Sequence, residues 1–377
     1  MSVSLSSKDR FLFLVNLLKF HCAVPVKTFL GKTDFSQLED LPKGFRCEKS
    51  WFIKKAVGSG LKNSMIEAMR SFFEEDVEAR ELKQIADSAI KIVTPYSKEY
   101  PYKLKHIENP PLVLYCKGRL SLFSNPMVSI VGSRACTQRG RQKAEEIAKG
   151  LSGLGISVVS GFARGIDGSA HRGALKGGRA GSTIAVVGTG LDINYPAEHR
   201  KLKDEVFENG LLISEFPFGE QPHPWHFPLR NRIISGLSNY ILVVEAGKKS
   251  GSIITARLAL DQGRDVMAVP GDVGKSVSFG TNQLIRDGAV LVRDCADVLE
   301  TMGLGGKLFE SSSVPVEKLS SPLSDLLTLI GDGYTSLDEL VTVSGLAYDR
   351  LNRSLFELMS RGFISRDSSN LYRIVAY

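Results

Sequence analysis

Short apolar runs alternate with helix-like segments along the middle of the chain. In the segments between the runs, apolar residues recur at three- and four-residue spacing, as at Ala144, Ile147, Ala148 and Leu151. The runs are β-branched or apolar at consecutive positions, which is typical of strands that are covered on both faces. They lie near residues 128–131, 156–159, 183–187, 211–213, 240–244, 265–269 and 289–292. The pattern predicts the α/β class, with a doubly wound, mostly parallel, Rossmann-like sheet over residues 127–303.

Residues 1–90 show a helical pattern without strands. They include an apolar segment from Lys8 to His21, and we interpret them as a separate N-terminal helical domain of the SAM or helix-hairpin-helix kind. The segment 56–69 resembles a helix-hairpin-helix element, although Ser59 stands where its turn has an apolar residue. A small helical bundle that packs on its neighbour is favoured over a nucleic-acid-binding element. Residues 91–126 contain several Tyr and Pro residues and are predicted to be an extended lead-in that docks on the next domain.

The composition changes again in the last part of the chain. Residues 304–322 are rich in Gly, Ser and Pro and predict a flexible linker. Residues 323–377 predict three helices followed by a β-hairpin, the element order of a winged helix, with a capping-box pattern at Ser336 and Glu339. Winged helices often bind DNA, but residues 321–377 hold five basic and seven acidic residues. Contact with a partner or support of a dimer is therefore favoured here over direct DNA binding.

The hydrophobic content of the chain is typical of a protein that folds around apolar cores. Of the 377 residues, 43% are hydrophobic, and the formal net charge is +7. This basic excess permits a polyanionic partner without requiring one. The five cysteines are an odd number without a Cys-x-x-Cys pair, so we expect reduced thiols. No run approaches the roughly 18 apolar residues of a membrane helix, and no signal-peptide cleavage site follows residues 11–20. We predict a cytoplasmic protein with no membrane partner.

Polar, glycine-rich loops follow several of the predicted strands. Because the carboxyl ends of parallel strands meet at one edge of a sheet, we expect these loops to face one crevice. Backbone N–H groups at helix N-termini, together with cationic side chains, bind anions. The loops contain Gly132-Ser133-Arg134, Gly161-Phe162-Ala163-Arg164-Gly165, Arg230-Asn231-Arg232 and Lys249-Ser250-Gly251-Ser252. Their cations would repel one another at one edge, so the pattern predicts an anionic ligand between them.

The sequence contains no complete match to the familiar catalytic and cofactor-binding motifs. The segment Gly188-Thr189-Gly190 lacks the third glycine of a dinucleotide fingerprint, since Ile193 stands in its place. The segment Gly274-Lys275-Ser276 resembles the end of a P-loop but lacks the earlier glycine. His223 and His226 lie in a proline-rich loop with no carboxylate or thiol cluster nearby in sequence, which disfavours a metal site. We predict no catalytic residue, no metal and no cofactor.

A series of motifs in sequence order resembles the DprA family of DNA-processing proteins, also called Smf. The resemblance is dense over about residues 92–300, and the flanking regions agree in the order of their elements. The motifs are Gly132-Ser133-Arg134, Ser160 to Asp167 with Ala170 to Leu175, Gly188 to Asp192 with Tyr195-Pro196, Phe227 to Gly236, Glu245-Ala246 with Ser250-Gly251-Ser252, and Val269-Pro270-Gly271. Two departures are Phe162, where the family usually has Leu or Met, and Ala197, where members often have a basic residue.

The resemblance implies a protein that binds single-stranded DNA without strong sequence preference, forms a homodimer, and delivers RecA recombinase onto DNA in natural transformation. Arg134 matches the phosphate-contacting arginine of the family. Arg200 and Lys201 are expected to replace the charge missing at Ala197. The expected DNA-binding residues are Gly132, Ser133, Arg134, Gly161, Arg164, Gly165, Arg200, Lys201, Arg230, Asn231, Arg232, Lys249, Ser250, Gly251 and Ser252.

Two other functions stay open from the residues alone. Rossmann-like relatives of such a sheet hydrolyse nucleotides, and Glu245 or Asp167 beside the phosphate-binding loops could serve as a base. A transcription regulator would act through the winged helix and would bind duplex DNA sequence-specifically. The acidic balance of residues 321–377 makes this last hypothesis the weakest of the three.

Overall fold

The computed structural model describes residues 5–30, 48–177, 182–304, 321–331, 334–360, 363–366 and 371–374. The chain divides into two compact units, Met1–Cys295 and Ala296–Tyr377. Among the helices of these ranges, none is both long enough and apolar enough to span a bilayer.

The first unit is built around a β-sheet. In chain order its strands are β1 Lys91–Val93, β2 Leu114–Gly118, β3 Met127–Val131, β4 Ser157–Ser160, β5 Thr183–Val186, β6 Leu211–Ser214, β7 Tyr240–Val243, β8 Asp265–Ala268 and β9 Val290–Leu291. Within the described residues these nine strands form one sheet in the order β1-β2-β6-β5-β4-β3-β7-β8-β9. All neighbours from β6 to β9 pair in parallel. The predicted mostly parallel α/β sheet is confirmed, and each apolar run of the sequence is one of its strands.

Helices surround this sheet. They are α1 Ser7–His21, α2 Val26–Leu30, α3 Lys49–Gly58, α4 Asn63–Glu74, α5 Val77–Asp87, α6 Gln138–Gly153, α7 Ile166–Leu175, α8 Arg200–Asn209, α9 His226–Leu237, α10 Gly251–Asp261 and α11 Phe279–Arg286. The helix α12 Cys295–Thr301 begins at the last residue of the first unit and continues into the second. The helices α6 to α11 alternate with strands β3 to β9, which is the doubly wound arrangement.

We expected residues 91–126 to be an extended lead-in, but in the structure they also form part of the sheet. They supply β1 and β2, and both strands extend the sheet antiparallel, with Lys91 opposite Cys116 and Tyr115 opposite Ser214. The apolar residues Leu112 to Tyr115 are buried, so hydrophobic burial fixes this edge of the sheet.

The N-terminal helices also belong to the same unit as the sheet, whereas the sequence suggested a separate domain over residues 1–90. Every residue from Phe11 to Leu18 is buried, so α1 lacks the polar face that a surface helix would present to water. Its side chains share one hydrophobic cluster with Tyr115, Ala185 and Val187 of the sheet. The almost wholly apolar run from Phe11 to Leu18 explains why this helix packs inside the unit.

The second unit has its own hydrophobic cluster. Its elements are α13 Ser321–Gly331, α14 Leu337–Ser344, α15 Tyr348–Ser360, β10 Ile364–Arg366 and β11 Tyr372–Ile374. The two strands pair antiparallel, and Leu351, Leu355 and Leu358 of α15 are buried as predicted. The predicted capping box of Ser336 and Glu339 is present. Residues 305–320 of the predicted linker and residues 367–370 between the two strands of the predicted hairpin lie outside the described residues.

Candidate functional site

The order of the strands reverses between β3 and β7. From β3 the chain adds β4, β5 and β6 on one side and then crosses to add β7, β8 and β9 on the other. Ligands of open α/β sheets bind at such a switch point, outside the carboxyl ends of the strands. A cleft of about 790 Å³ lies there, and we call it the switch-point cleft. The sequence-predicted residues that line it are Gly132, Ser133, Arg134, Arg230, Asn231, Lys249, Ser250, Gly251 and Ser252.

Two glycines bring the loops after β3 and β4 into direct contact. A Cβ at Gly132 would lie only 2.5 Å from Cγ1 of Ile166, the first residue of α7. Gly165 has a φ of 76°, in the left-handed region that favours glycine, and a Cβ there would overlap the backbone oxygen of Ser133. The N–H of Ile166 also donates to that oxygen at 3.3 Å. Gly165 therefore supports the loop that carries Arg134 from behind and does not line the cleft itself.

Arg134 lies exposed at the mouth of the cleft. Its Cζ lies 4.7 Å from the ring centroid of Phe227, which is within the range of a cation–π contact. The ring of Phe227 lies 5.7 Å from that of Tyr195, with an angle of 34° between the rings. The cleft thus combines a guanidinium with aromatic rings on one wall, a combination that suits both phosphates and flat bases.

Arg230 lies deeper in the cleft and is only 3% exposed. Its Nε has no hydrogen-bond partner, and the nearby carboxylate of Asp167 acts on the guanidinium through its charge. Burial lowers the pKa of Arg230 to about 10, although Asp167 opposes this shift. Burial likewise raises the pKa of Asp167 against the effect of Arg230. A buried cation with an unbonded N–H group is unfavourable unless an anion completes its environment.

The space for the Arg230 side chain comes from Gly161. A Cβ at Gly161 would overlap Nη1 of Arg230 and would lie 2.6 Å from Oδ2 of Asp167. Gly161 also borders a small recess next to the cleft, to which Arg134, Arg164 and Arg230 contribute. The predicted role of Gly161 therefore has a definite geometric basis, since any side chain there would displace a cleft arginine.

The third wall is the N-terminus of α10. Ser250 is its N-cap, and its Oγ accepts from the N–H of Ser252 at 3.4 Å and lies 2.7 Å from the Oγ of Ser252. Lys249 is exposed beside this cap. No atom lies within 4 Å of a Cβ built at Gly251, so the start of the helix is open. The helix dipole and an ammonium group together favour an anion here.

Glu245, which we considered as a base, has another role. Its Oε1 accepts from the hydroxyl of Thr137 at 2.6 Å, and its Oε2 accepts from the N–H of Thr137 at 2.8 Å. Thr137 is the N-cap of α6. The carboxylate therefore holds the start of a helix, and Glu245 is not among the residues that line the cleft.

Arg232 lies on the core side of α9, away from the cleft. Its Nη2 donates to Oε1 and Oε2 of Glu215 at 2.9 and 2.8 Å, and Lys19 of α1 donates to Oε1 at 2.7 Å. Residues two apart in a helix lie about 200° apart around its axis, so Arg230 and Arg232 point in opposite directions. We correct the expectation that Arg232 contributes to the site, because the structure gives it a partner in the core.

Three further predicted cations also lie outside the cleft. Arg164 pairs with Glu198 through two contacts, one of them from Nη2 to Oε2 at 3.1 Å. This pairing lowers the pKa of Glu198 to about 2. Arg200 and Lys201 are exposed at the start of α8, and neither lines the cleft or its neighbouring recess. The structure therefore does not place them as a replacement for the basic residue missing at Ala197.

Sequence reasoning missed several residues of the cleft. Asp167 lies beside Arg230, whereas the sequence suggested it only as a base. Ile254 and Thr255 line the cleft one turn after Gly251, and the helical spacing of three and four residues would have indicated them. Pro222 and Pro224 come from the loop before α9, and no local pattern pointed to their place in the fold.

The family model of DNA recombination-mediator protein A matches residues 91–303. Protein Smf of Escherichia coli is 37% identical over 276 residues, covering 71% of this chain and 73% of the relative. The X-ray structure of DNA processing protein A from Streptococcus pneumoniae is similar with a TM-score of 0.65 at 34% identity, covering 79% of this chain and 98% of that one. A structure of DNA processing protein A from Helicobacter pylori, whose title describes a single-stranded DNA binding mode, has a TM-score of 0.52 at 31% identity, covering 57% of this chain and 97% of that one.

Proposed function

The chain belongs to the DNA recombination-mediator protein A family, and we propose that it binds single-stranded DNA in the switch-point cleft. The observation that carries this proposal is the convergence of Arg134, the buried Arg230 and the open N-terminus of α10 on one cleft. Each of these groups favours an anion. The single-stranded DNA binding named for the Helicobacter pylori relative supports the same ligand.

A polymer of phosphates fits the cleft better than one small anion. Arg134 and Lys249 stand exposed on different loops, so the positive groups are spread along the cleft rather than gathered around one point. The rings of Phe227 and Tyr195 offer faces on which bases can stack whatever their identity. We therefore propose that binding is dominated by phosphate contacts and depends little on base sequence.

A salt titration tests the proposal. The affinity of the full chain for oligo-dT is measured across salt concentrations for the wild type, for Arg134→Ala and for Arg139→Ala. Arg139 is an exposed arginine of α6 outside the cleft, so it serves as the matched control. We expect affinity to fall steeply with salt, and we expect Arg134→Ala to weaken binding and to reduce the salt slope by about 1. Equal affinities and slopes for the wild type and Arg134→Ala would contradict the proposal.

We propose further that the chain acts as a recombination mediator that loads RecA onto single-stranded DNA in natural transformation. The family description supports mediation, and RecA is the partner that the sequence resemblance implied. The test is whether the purified protein speeds RecA assembly on DNA that a single-strand-binding protein has coated. No acceleration at any protein concentration would contradict the loading role while leaving DNA binding intact.

A homodimer is the second part of this proposal. An apolar groove of about 640 Å³ runs beside the edge strand β9, and Leu260, Phe279 and Val290 are exposed along it. Exposed apolar side chains at an unpaired sheet edge favour contact with another chain. Sedimentation of wild type and Phe279→Arg tests this surface, since a dimer that uses it should dissociate in the variant.

We propose that residues 127–303 form the DNA-binding domain, that residues 323–377 form a winged helix that serves partner contact or dimer support, and that the protein works in the cytoplasm. The winged-helix proposal rests on the order of three helices and two antiparallel strands. The acidic balance of this segment supports the choice of a protein partner over DNA.

A further inference from the structure

An exposed tryptophan lies beside the switch-point cleft. Trp225 is 56% exposed, and it immediately precedes α9. It stands in the chain between Pro224 and Phe227, which both line the cleft. Because consecutive Cα atoms are about 3.8 Å apart, the backbone of Trp225 lies directly beside residues that line the cleft. A tryptophan contributes about 150–250 Å² of mainly apolar surface when it is buried, and packing within this chain leaves more than half of Trp225 exposed.

The indole is held against a rigid support. Its ring centroid lies 4.0 Å from that of His226, with an angle of 81° between the rings. His226 is fully buried, its Nδ1 lies 3.0 Å from the backbone oxygen of Gly188, and its ring packs 4.2 Å from that of Phe216. The exposed face of Trp225 is therefore fixed before any ligand arrives, which lowers the entropy lost on binding.

Two features next to the indole favour an uncharged aromatic ligand. The ring of His223 is nearly parallel to that of Trp225, at an angle of 12° and a centroid separation of 6.4 Å. The carboxylate of Glu220 lies 3.3 Å from Nε2 of His226. A negative charge at this place disfavours a phosphate, whereas aromatic faces stack with any base.

We infer that Trp225, with His223 beside it, forms a second base-stacking subsite for a nucleobase that lies outside the switch-point cleft. The inference rests on the proposed function, since it requires a single strand whose phosphates occupy the cleft. The subsite extends the bound strand along the loop before α9. It adds affinity without charge, so its contribution does not depend on salt.

The two tryptophans of the chain allow a direct optical test. The other one, Trp51 of α3, packs against Phe11, Phe29 and Phe52 in the N-terminal helices. We expect the emission of Trp51→Phe protein, which comes from Trp225 alone, to fall when oligo-dT is added. The emission of Trp225→Phe protein should change little over the same titration. Binding that is visible by DNA anisotropy but leaves the emission of Trp51→Phe protein unchanged would overturn the subsite.

Affinity measurements give the second test. Trp225→Ala should lower the affinity for oligo-dT about 5- to 150-fold, with the salt slope of the wild type, and Trp225→Phe should restore most of the loss. On an abasic strand, which keeps the phosphates, Trp225→Ala and wild type should bind equally. Equal binding of Trp225→Ala and wild type to oligo-dT would overturn the subsite alone, provided that the wild type binds with a steep salt dependence. Failure of the wild type to bind any single strand would remove the proposed function and the subsite together.

Discussion

The two faces of α9 carry arginines with opposite roles. Arg230 faces the switch-point cleft and is buried, and its Nε, like that of Arg232, has no hydrogen-bond partner. Arg232, two residues later, is also buried but bonds to both carboxylate oxygens of Glu215. On the same helix, Arg232 thus completes a core network, whereas Arg230 is the arginine that we propose binds the ligand. Both arginines are buried, so burial alone does not tell whether a charged side chain stabilises the fold or binds a ligand. The partner of the charge does.

The largest effect is expected on the core side. Arg232→Ala leaves the buried Glu215 with only Lys19 as a counter-charge. Because breaking a buried ion pair leaves a charge uncompensated, we expect the free energy of unfolding to fall by about 3 to 5 kcal/mol. Urea unfolding measures this change. A loss below about 1 kcal/mol would mean that the two faces of α9 do not differ as described.

The next effect is expected on the cleft side and concerns binding. Arg230→Gln removes a buried cation whose desolvation cost offsets its attraction to Asp167, so we expect a smaller change in stability than for Arg232→Ala. Its affinity for oligo-dT should fall about 10- to 150-fold, the worth of a hydrogen bond to a charged group. Fluorescence anisotropy with labelled oligo-dT measures the loss. An unfolded Arg230→Gln protein would reverse the assignment of the two arginines.

A smaller effect on the same face is expected from Gly161→Ala. The added methyl group overlaps Nη1 of Arg230, which is the end of a flexible side chain and can move aside. We therefore expect a folded protein whose affinity for oligo-dT falls by up to about tenfold, because the guanidinium is displaced but still present. Gly58→Ala in α3 is a matched control, since a Cβ there meets no atom within 4 Å and Gly58 does not line the cleft. If Gly161→Ala binds like wild type, Arg230 does not contact the DNA.

The smallest expected effect is on the pH dependence of stability, to which Asp167 and Glu215 contribute with opposite signs. Burial raises the pKa of Asp167 above its ordinary 3.8, so its ionised form destabilises the fold and this penalty disappears as the pH falls through the folded pKa. Burial alone would also raise the pKa of Glu215, but Arg232 and Lys19 hold it below 4.5, so its stabilisation is present above pH 4.5 and is lost as the pH falls through the folded pKa.

Unfolding measured between about pH 3 and 6 tests these opposite signs, at about 1.4 kcal/mol for each unit of pKa shift. In wild type, protonation of Asp167 on acidification raises the free energy of unfolding, and Asp167→Asn should lack this rise. Protonation of Glu215 lowers the free energy of unfolding, and Glu215→Gln should lack this fall. Shifts of the same sign in the two variants would contradict the assignment of the two faces.

Much of the fold was predictable because it depends on local patterns. The consecutive β-branched residues of the run at 128–131 indicate a buried strand without any knowledge of its neighbours. The loop positions of Arg134 and Lys249 were predictable for a similar reason, since parallel strands place the loops at their carboxyl ends at one edge. These inferences need only the order of elements along the chain.

The rest depends on which side of an element faces which neighbour. Arg230 and Arg232 are equivalent in a motif, and only the packing of α9 against Glu215 and α1 distinguishes them. The pairing of Arg164 with Glu198 joins residues far apart in sequence, which no local spacing indicates. The antiparallel strands β1 and β2 were likewise missed, because their short runs resemble an extended connection until a partner strand is known.

The central claim is that the buried Arg230 binds the DNA ligand in the switch-point cleft. Thermal or chemical unfolding in the presence of DNA tests this claim most directly. The free energy of unfolding is measured for wild type and Arg230→Gln, each with and without oligo-dT at 100 times the wild-type dissociation constant. We predict that the DNA stabilises wild type by about 2.7 kcal/mol and stabilises Arg230→Gln by about half of that or less. Equal stabilisation of the two proteins by DNA would contradict the claim.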